Sequence, residues 1–305
     1  MNKHYYHTYG LTVSSEISFF EMEELPEQAQ VDADIVVGMP PEWVINEYKE
    51  GSFSSIRETV MWFRLYDELL IYVENGNHAI VWPINPKISE SQLHTFTLSG
   101  VFTFLLFQRG YLCVHGSALA YKNRAFIVSG PSGSGKSTTA LELLKLNDIL
   151  FLSDDICPLK KVGSQHLLFP GPPWQKVCND VMEREPGFDY SYLEESGGKY
   201  GRHLFEKYVT TPLPICAMFI ITKADCPNVR IEELNGQQKL KAFTQNLFRG
   251  ELLNILGVTP QRMIQMLEII NGFSIYRIYR PLQGDTLKNV TDIIKEHLAK
   301  KLQLC

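Results

Sequence analysis

The sequence predicts a mixed α/β protein in two parts, a small β-rich N-terminal domain over residues 1–90 and an α/β core over residues 91–305. Three observations predict it. A chain of 305 residues exceeds the ~100–200 residues of one ordinary domain. Its first part offers short runs of β-type residues bounded by turn formers. Its later part carries a glycine-rich loop, Gly130-Pro-Ser-Gly-Ser-Gly-Lys136-Ser137, with an apolar strand-like run before it and an amphipathic helical run after it.

Composition removes whole classes of function. Hydrophobic residues at 45% and charged residues at 21%, with 16 Pro and 21 Gly, describe a chain that builds a core and exclude a disordered or collagenous one. Lys+Arg 29 against Asp+Glu 34 leaves a net charge of −5, so no global positive field holds a nucleic acid, and no nucleic-acid partner is expected. The cysteines Cys113, Cys157, Cys178, Cys216, Cys226 and Cys305 form no C-x-x-C pair and read as reduced thiols of a cytoplasmic protein. The N-terminal Met-Asn-Lys-His-Tyr-Tyr-His lacks the apolar region of a signal peptide. The apolar run 96–107 falls short of the ~20 residues that span a bilayer, and no membrane association is expected.

In chain order, strands are expected at Tyr5–Val13, Asp34–Val37 and Thr59–Tyr66, and at Leu69–Val73 and Ala79–Pro83 on either side of Asn75-Gly76. That dipeptide tolerates the positive φ values of a two-residue hairpin. Pro83, Pro86 and Ser89 punctuate the domain boundary, and Ser91–Gln108 reads as a buried helix terminated at Gly110. Tyr111–Ala120 and Arg124–Ser129 form a hairpin that feeds the glycine-rich loop, Lys136–Leu146 is the helix behind it, and Ile149–Ser153 is a strand closing on two acidic residues. The Pro/Gly-rich stretch from Phe169 and the polar stretch Gly187–Gly201 read as mobile loops. A strand at Ile215–Thr222, helices over Gly236–Leu256 and Pro260–Asn271, a strand at Phe273–Tyr279 and a helix over Thr286–Leu302 complete the chain.

The glycine-rich loop fits G-x-x-x-x-G-K-[ST] at every position and predicts nucleotide binding through Gly130, Pro131, Ser132, Gly133, Ser134, Gly135, Lys136, Ser137 and Thr138. Its glycines let successive N–H groups face a β-phosphate, and the helix start adds its positive end. Lys136 supplies a cation for the β- and γ-phosphates, and the Ser137 hydroxyl suits Mg²⁺. Asp154 and Asp155 end the next apolar run. One carboxylate suffices for Mg²⁺, so the second is free to accept the proton of an attacking hydroxyl. The sequence leaves the two roles undivided.

The segment Val114-His115-Gly116-Ser117-Ala118, the loop, and Ser153-Asp154-Asp155 together resemble the catalytic core of the HPr kinase/phosphorylase family, strongly over residues 111–160. The opening Tyr9–Glu16 and the segment Phe169-Pro170-Gly171 are similar to those of related kinases encoded beside lasso-peptide and similar peptide-modification genes. The resemblance implies a mixed sheet of the kind shared with phosphoenolpyruvate carboxykinase, and a homo-oligomer, a hexamer in relatives. It also implies that His115 lies near the γ-phosphate or the acceptor, and that Lys199 and Arg202 form a phosphate clamp, with Arg249 a weaker candidate. The chain departs from the family in two places. The loop ends Lys-Ser-Thr where Lys-Ser-Glu is usual, and Pro170-Gly-Pro-Pro-Trp174-Gln-Lys176 stands where a Leu-Glu-Ile-Arg-Gly signature is expected. These departures argue against phosphorolysis and against HPr as substrate.

The resulting expectation is a kinase dependent on ATP, or GTP, and on Mg²⁺, acting on a serine of a peptide or small protein such as a lasso-peptide precursor. Asp154, Asp155, His115, Lys136, Lys199 and Arg202 are its catalytic candidates, and Ser137, Asp154 and Asp155 its metal ligands. The rival readings are a sugar or nucleoside kinase and a nucleotide-binding regulatory or assembly module that transfers no phosphate.

Overall fold

A computed structural model describes residues 3–57, 59–178, 182–183, 190–193, 199–250 and 259–303. By Cα packing the chain divides into Met1–Tyr111 with Tyr192–Lys199, and Leu112–Ser191 with Tyr200–Cys305.

The first unit is a seven-stranded sheet with one long helix. Tyr9 and Gly10 hold φ 57° and 74°, the left-handed values of a tight hairpin turn, so the run expected as one strand splits into β1 (His4–Thr8) and β2 (Leu11–Ser15). After β3 (Ala33–Val37) come α1 (Glu42–Lys49), β4 (Ser54–Ile56), β5 (Val60–Leu65), β6 (Leu69–Glu74) and β7 (His78–Pro83). The strand order is β1-β2-β3-β7-β6-β5-β4. Asn75 and Gly76, at φ 53° and 65°, make the expected β6–β7 turn. Helix α1 carries no strong sequence signal. It buries Val44 against Trp62, Leu70 and Tyr72, and its Glu47 accepts from Trp62 Nε1 at 2.9 Å.

Helix α2 (Glu90–Gln108) starts at a capping box between Ser89 and Gln92. The sequence grouped it with the following core; it packs instead with the N-terminal sheet, so this unit runs on to Tyr111. The physical reason is its all-round apolarity, which needs a broad apolar partner. Gly100 lies so close to β6 that a Cβ there would come within 2.4 Å of Ile71 Cδ1. At the helix end the Gln108 side chain accepts from Gly76 N at 2.7 Å and donates to Val73 O at 3.2 Å, which ties α2 to the hairpin turn.

From Leu112 on the chain forms β8 (Leu112–Tyr121), β9 (Arg124–Ser129), α3 (Lys136–Leu144), β10 (Ile149–Val162), β11 (Gln165–Leu168), β12 (Trp174–Cys178), β13 (Ser191–Leu193), β14 (Lys199–His203), β15 (Leu213–Ala224), β16 (Arg230–Leu234), α4 (Gly236–Gln245), α5 (Pro260–Asn271), β17 (Ser274–Pro281) and α6 (Leu287–Gln303). The main sheet has the order β11-β10-β8-β9-β15-β17-β16. Strands β9, β15 and β17 are parallel, and β8, β10 and β16 are antiparallel to their neighbours, which makes the mixed sheet of the expected α/β class. One face packs Leu143, Val290 and Ile294 of α3 and α6; the other packs Phe243, Met266 and Ile269 of α4 and α5. Strands β12, β14 and β13 form a further three-stranded sheet in that order.

Three expectations change here. Strand β10 does not stop at the acidic pair but runs through it for 14 residues, bulged between Phe151 and Ser153, with Asp155 at φ 70°. Residues 170–173 belong to no helix or strand, as the loop expectation has it, but they are buried rather than exposed, because Gly171 N donates to Leu152 O at 2.9 Å and Gly171 O accepts from Tyr208 Oη at 2.5 Å. The helix expected over Gly236–Leu256 ends at Gln245, and residues 246–248 then run beside β8, with His115 N donating to Asn246 O and Phe248 N to Cys113 O, both at 2.8 Å. Residues 251–256 of that expectation, and 187–189 and 194–198 of the polar stretch, lie outside the described residues. Cys113, Cys157, Cys216 and Cys226 are free thiols.

Candidate active site

The loop leaves β9 at the carboxyl end of the parallel strands and enters α3, the strand–turn–helix setting the motif requires. Gly130, Gly133 and Gly135 hold φ 139°, 73° and 101°, and Gly135 is the residue from which α3 starts. Side-chain-free backbone is obligatory at Gly130, where a Cβ would meet Ile221 O at 2.3 Å. Lys136 Nζ donates to Gly130 O at 2.8 Å and to Pro131 O at 3.1 Å, so its ammonium rests at the first residues of the loop. Pro131, Ser132 and Gly133 are exposed, Ser134 is buried, and Ser137 and Thr138 are half-buried on the first turn of α3. Arg280, at the end of β17, donates from Nη1 to Ser134 O at 3.2 Å; nothing in the sequence pattern marks it.

The two carboxylates sit where β10 crosses β8. Asp154 lies opposite Ser117 and Asp155 opposite Gly116. Ser117 Oγ donates to Asp154 Oδ1 at 2.6 Å, and Lys176 N donates to Asp154 Oδ2 at 3.1 Å. Lys176 Nζ reaches Asp155 Oδ2 at 3.2 Å. Burial pushes the Asp154 carboxyl up to about 6, helped by the neighbouring Asp155 charge, while the Ser117 and Lys176 donors pull the other way. The sequence missed Ser117 and Lys176 as partners of the pair. Ser117 had a signal, its place two residues after His115 on one strand; Lys176 had none, since β12 is far from the pair in the chain.

His115 ties this pair to the loop. Its Nε2 stands 3.8 Å from Asp155 Oδ1, and its ring lies 5.8 Å from that of Phe248. Its carbonyl accepts from Ser129 Oγ at 2.6 Å, at the residue before the loop, and the same hydroxyl meets Asn246 Oδ1 at 2.9 Å. A cavity of about 600 Å³ opens here, lined by His115, by Gly130, Pro131 and Ser132, by Asn246 of the segment after α4 and by Arg277 of β17, among others. The structure therefore brings together His115, the loop, and, through His115, the carboxylate pair.

No protein-family model and no curated protein matches the chain. One solved structure similar to it is that of the Hpr(Ser) kinase/phosphatase from Coxiella burnetii, with 12% identity, 63% of this chain and 93% of that one covered, and a TM-score of 0.32. A likeness of that size bears on no individual residue of the site.

Of the remaining candidates, Arg202 is buried at 3% exposure on β14, beside β12 that carries Lys176. Lys199 begins the same strand, and its side chain lies outside the described residues. Arg249 is half-buried at φ 49°, its guanidinium 6.0 Å from the Phe248 ring centre, three residues beyond the C-cap of α4 rather than on its last turn. No helix among the described residues is long and apolar enough to cross a membrane. The metal donors expected from the sequence, the Ser137 hydroxyl and the two carboxylates, are oxygens, and the Asp155 charge raises the cost of ionising Asp154. Both features fit Mg²⁺, which takes one or two carboxylates together with phosphate oxygens.

Proposed function

We propose that the protein is an ATP- and Mg²⁺-dependent kinase that phosphorylates a serine hydroxyl of a peptide or small protein. The acceptor class we infer is the precursor of a ribosomally made, modified peptide of the lasso type, a choice that rests on the sequence resemblance at Tyr9–Glu16 and Phe169–Gly171. The single observation that carries the kinase reading is the position of His115, which lines the cavity at Gly130–Ser132 and stands 3.8 Å from Asp155. A phosphate-binding loop with its lysine, and a carboxylate beside it to take the hydroxyl proton, are recurring parts of transfer to an alcohol.

In this reading the loop amides and Lys136 hold the phosphates. The serine oxygen forms a bond to the γ-phosphorus, the bond to the bridging oxygen breaks, ADP leaves, and the serine proton passes to the carboxylate pair. Asp154 suits the proton, since a base works best when its titration lies near the working pH and burial has moved it to about 6. Asp155, beside His115, is then the metal-facing carboxylate with Ser137. Magnesium, when bound, neutralises charge on the phosphate oxygens. His115 and Lys176 orient Asp155, and Arg202 and Lys199 remain candidates for the phosphate clamp.

The test is incubation with γ-labelled ATP and a panel of serine peptides, including lasso-type precursors. Label on a serine, lost in Asp154→Asn and in Asp155→Asn, supports the reading. Transfer that survives both substitutions overturns the assigned machinery. Nucleotide-dependent partner binding with no phosphorylated product overturns the kinase and leaves a regulatory module.

A further inference from the structure

The cavity beside the loop contains a cation that the proposed machinery does not use. Arg277 lines it, half-buried on β17, and has no hydrogen-bond or ion-pair partner among the described residues. Its neighbour across β16, Glu232, is engaged elsewhere, accepting from Tyr279 Oη at 2.6 Å and facing Arg230 Nη1 at 3.7 Å. A guanidinium held in a half-buried pocket without a carboxylate is an anion receptor waiting for its ligand, because its planar donors lose water without gaining a partner.

The position of Arg277 states which anion. Lys136, the residue that reaches the β- and γ-phosphates, keeps its ammonium on Gly130 O and Pro131 O, so the γ end of a bound triphosphate lies at the first residues of the loop. The cavity meets those first residues, Gly130–Ser132, and is not lined by Ser137 or Thr138 at the helix end. It therefore lies on the acceptor side of the phosphates and not on the nucleoside side. Cross-strand pairing places Gly116, Ser129, Ile220 and Arg277 in one row over β8, β9, β15 and β17. Three strand spacings separate the strand of His115 from that of Arg277, roughly 14 Å between backbones. The Arg277 side chain and the peptide's own serine and acid side chains take up part of that distance and leave roughly 7–10 Å, two or three residues of extended chain at ~3.3 Å each.

We propose that Arg277 is a specificity residue for an acidic peptide, binding a Glu or Asp side chain two or three residues from the serine that sits at His115 and Asp155. This rests on the kinase reading for the serine and on the empty-handed guanidinium for the acid. An extended peptide crosses the cavity from His115 to Arg277, and the charge-assisted pair at its far end fixes which serine is presented.

Binding tests it without relying on turnover. Fluorescently labelled nonapeptides with one central serine and Glu at the second or third position on either side are titrated against the full chain, each beside its Gln counterpart. The wild type is expected to favour a Glu peptide about tenfold, the usual scale of a hydrogen bond to a charged group. Arg277→Gln should erase that preference, and Arg277→Glu should reverse it toward a Lys peptide, while both variants keep the nucleotide affinity and melting temperature of the wild type. Equal binding of Glu and Gln peptides by the wild type, or a preference that survives Arg277→Gln, overturns the proposal. Displacement of the peptide by an ATP analogue overturns it as well, by assigning the cavity to the nucleoside. Labelled-ATP transfer on the same peptides separates the two readings. Transfer without acid preference removes Arg277's role and leaves the kinase; acid preference without transfer removes the kinase and leaves an acidic-peptide site.

Discussion

Replacing Asp154 by asparagine should stabilise the folded protein while abolishing phosphoryl transfer. In the unfolded chain this carboxyl ionises near its ordinary 3.8; in the fold, burial moves it to about 6. Between those two values the folded protein holds more protons than the unfolded chain, so its stability falls as pH rises through the window, and above about 6 the full cost is carried. At about 1.4 kcal/mol per tenfold change in proton affinity, that cost is on the order of 3 kcal/mol. Asparagine keeps the shape and escapes the ionisation, but it must rearrange the contacts with Ser117 Oγ and Lys176 N, so a net gain of about 1–3 kcal/mol is expected at pH 7.5. For a unit of this size that is a melting temperature higher by several degrees, at about 2–4 °C per kcal/mol. The assay is thermal unfolding of wild type and Asp154→Asn at intervals from pH 7.5 down to pH 4. The gap should be widest at pH 7.5 and close as the pH approaches 4. A variant that melts at or below the wild type at pH 7.5, or a gap that does not change with pH, refutes the reasoning.

Two further predictions follow from the same geometry. Ser117→Ala removes a donor that favours the ionised form of Asp154 and should shift the acidic limb of the kcat/KM profile to higher pH; a shift to lower pH contradicts the assignment of that limb to Asp154. Gly130→Ala places a Cβ 2.3 Å from Ile221 O at φ 139° and should abolish nucleotide binding in an equilibrium titration. Gly133→Ala, with nothing within 4 Å and φ 73°, should cost only the left-handed backbone penalty of about 1–2 kcal/mol; equal effects of the two substitutions would show that crowding at Gly130 is not what matters.

The features legible in the chain were those whose cause is local. Asn75-Gly76 turns the β6–β7 hairpin because its two residues tolerate positive φ. The Tyr9-Gly10 turn uses the same chemistry, but β-type residues on both sides of it read as one continuous strand. The first unit runs to Tyr111 and not to residue 90 because an apolar helix names no partner, and only the packing of Gly100 against Ile71 shows that α2 belongs with the sheet before it.

By itself the sequence determined the glycine-rich loop, the helix behind it and the hairpin that enters it, because glycine spacing and residue periodicity are local, while the acidic pair was a candidate from its place after the loop and His115 from the family resemblance. Only the tertiary structure decided that Lys176 spans the two carboxylates, that Ser117 holds one of them, that Pro170–Pro173 is buried, and that Arg277 faces the same cavity as His115. Each of these depends on contacts between segments that are separate in the chain, from the 21 positions between Asp155 and Lys176 to the strand pairing that brings β8 and β17 into one sheet, and no local pattern of residues encodes them.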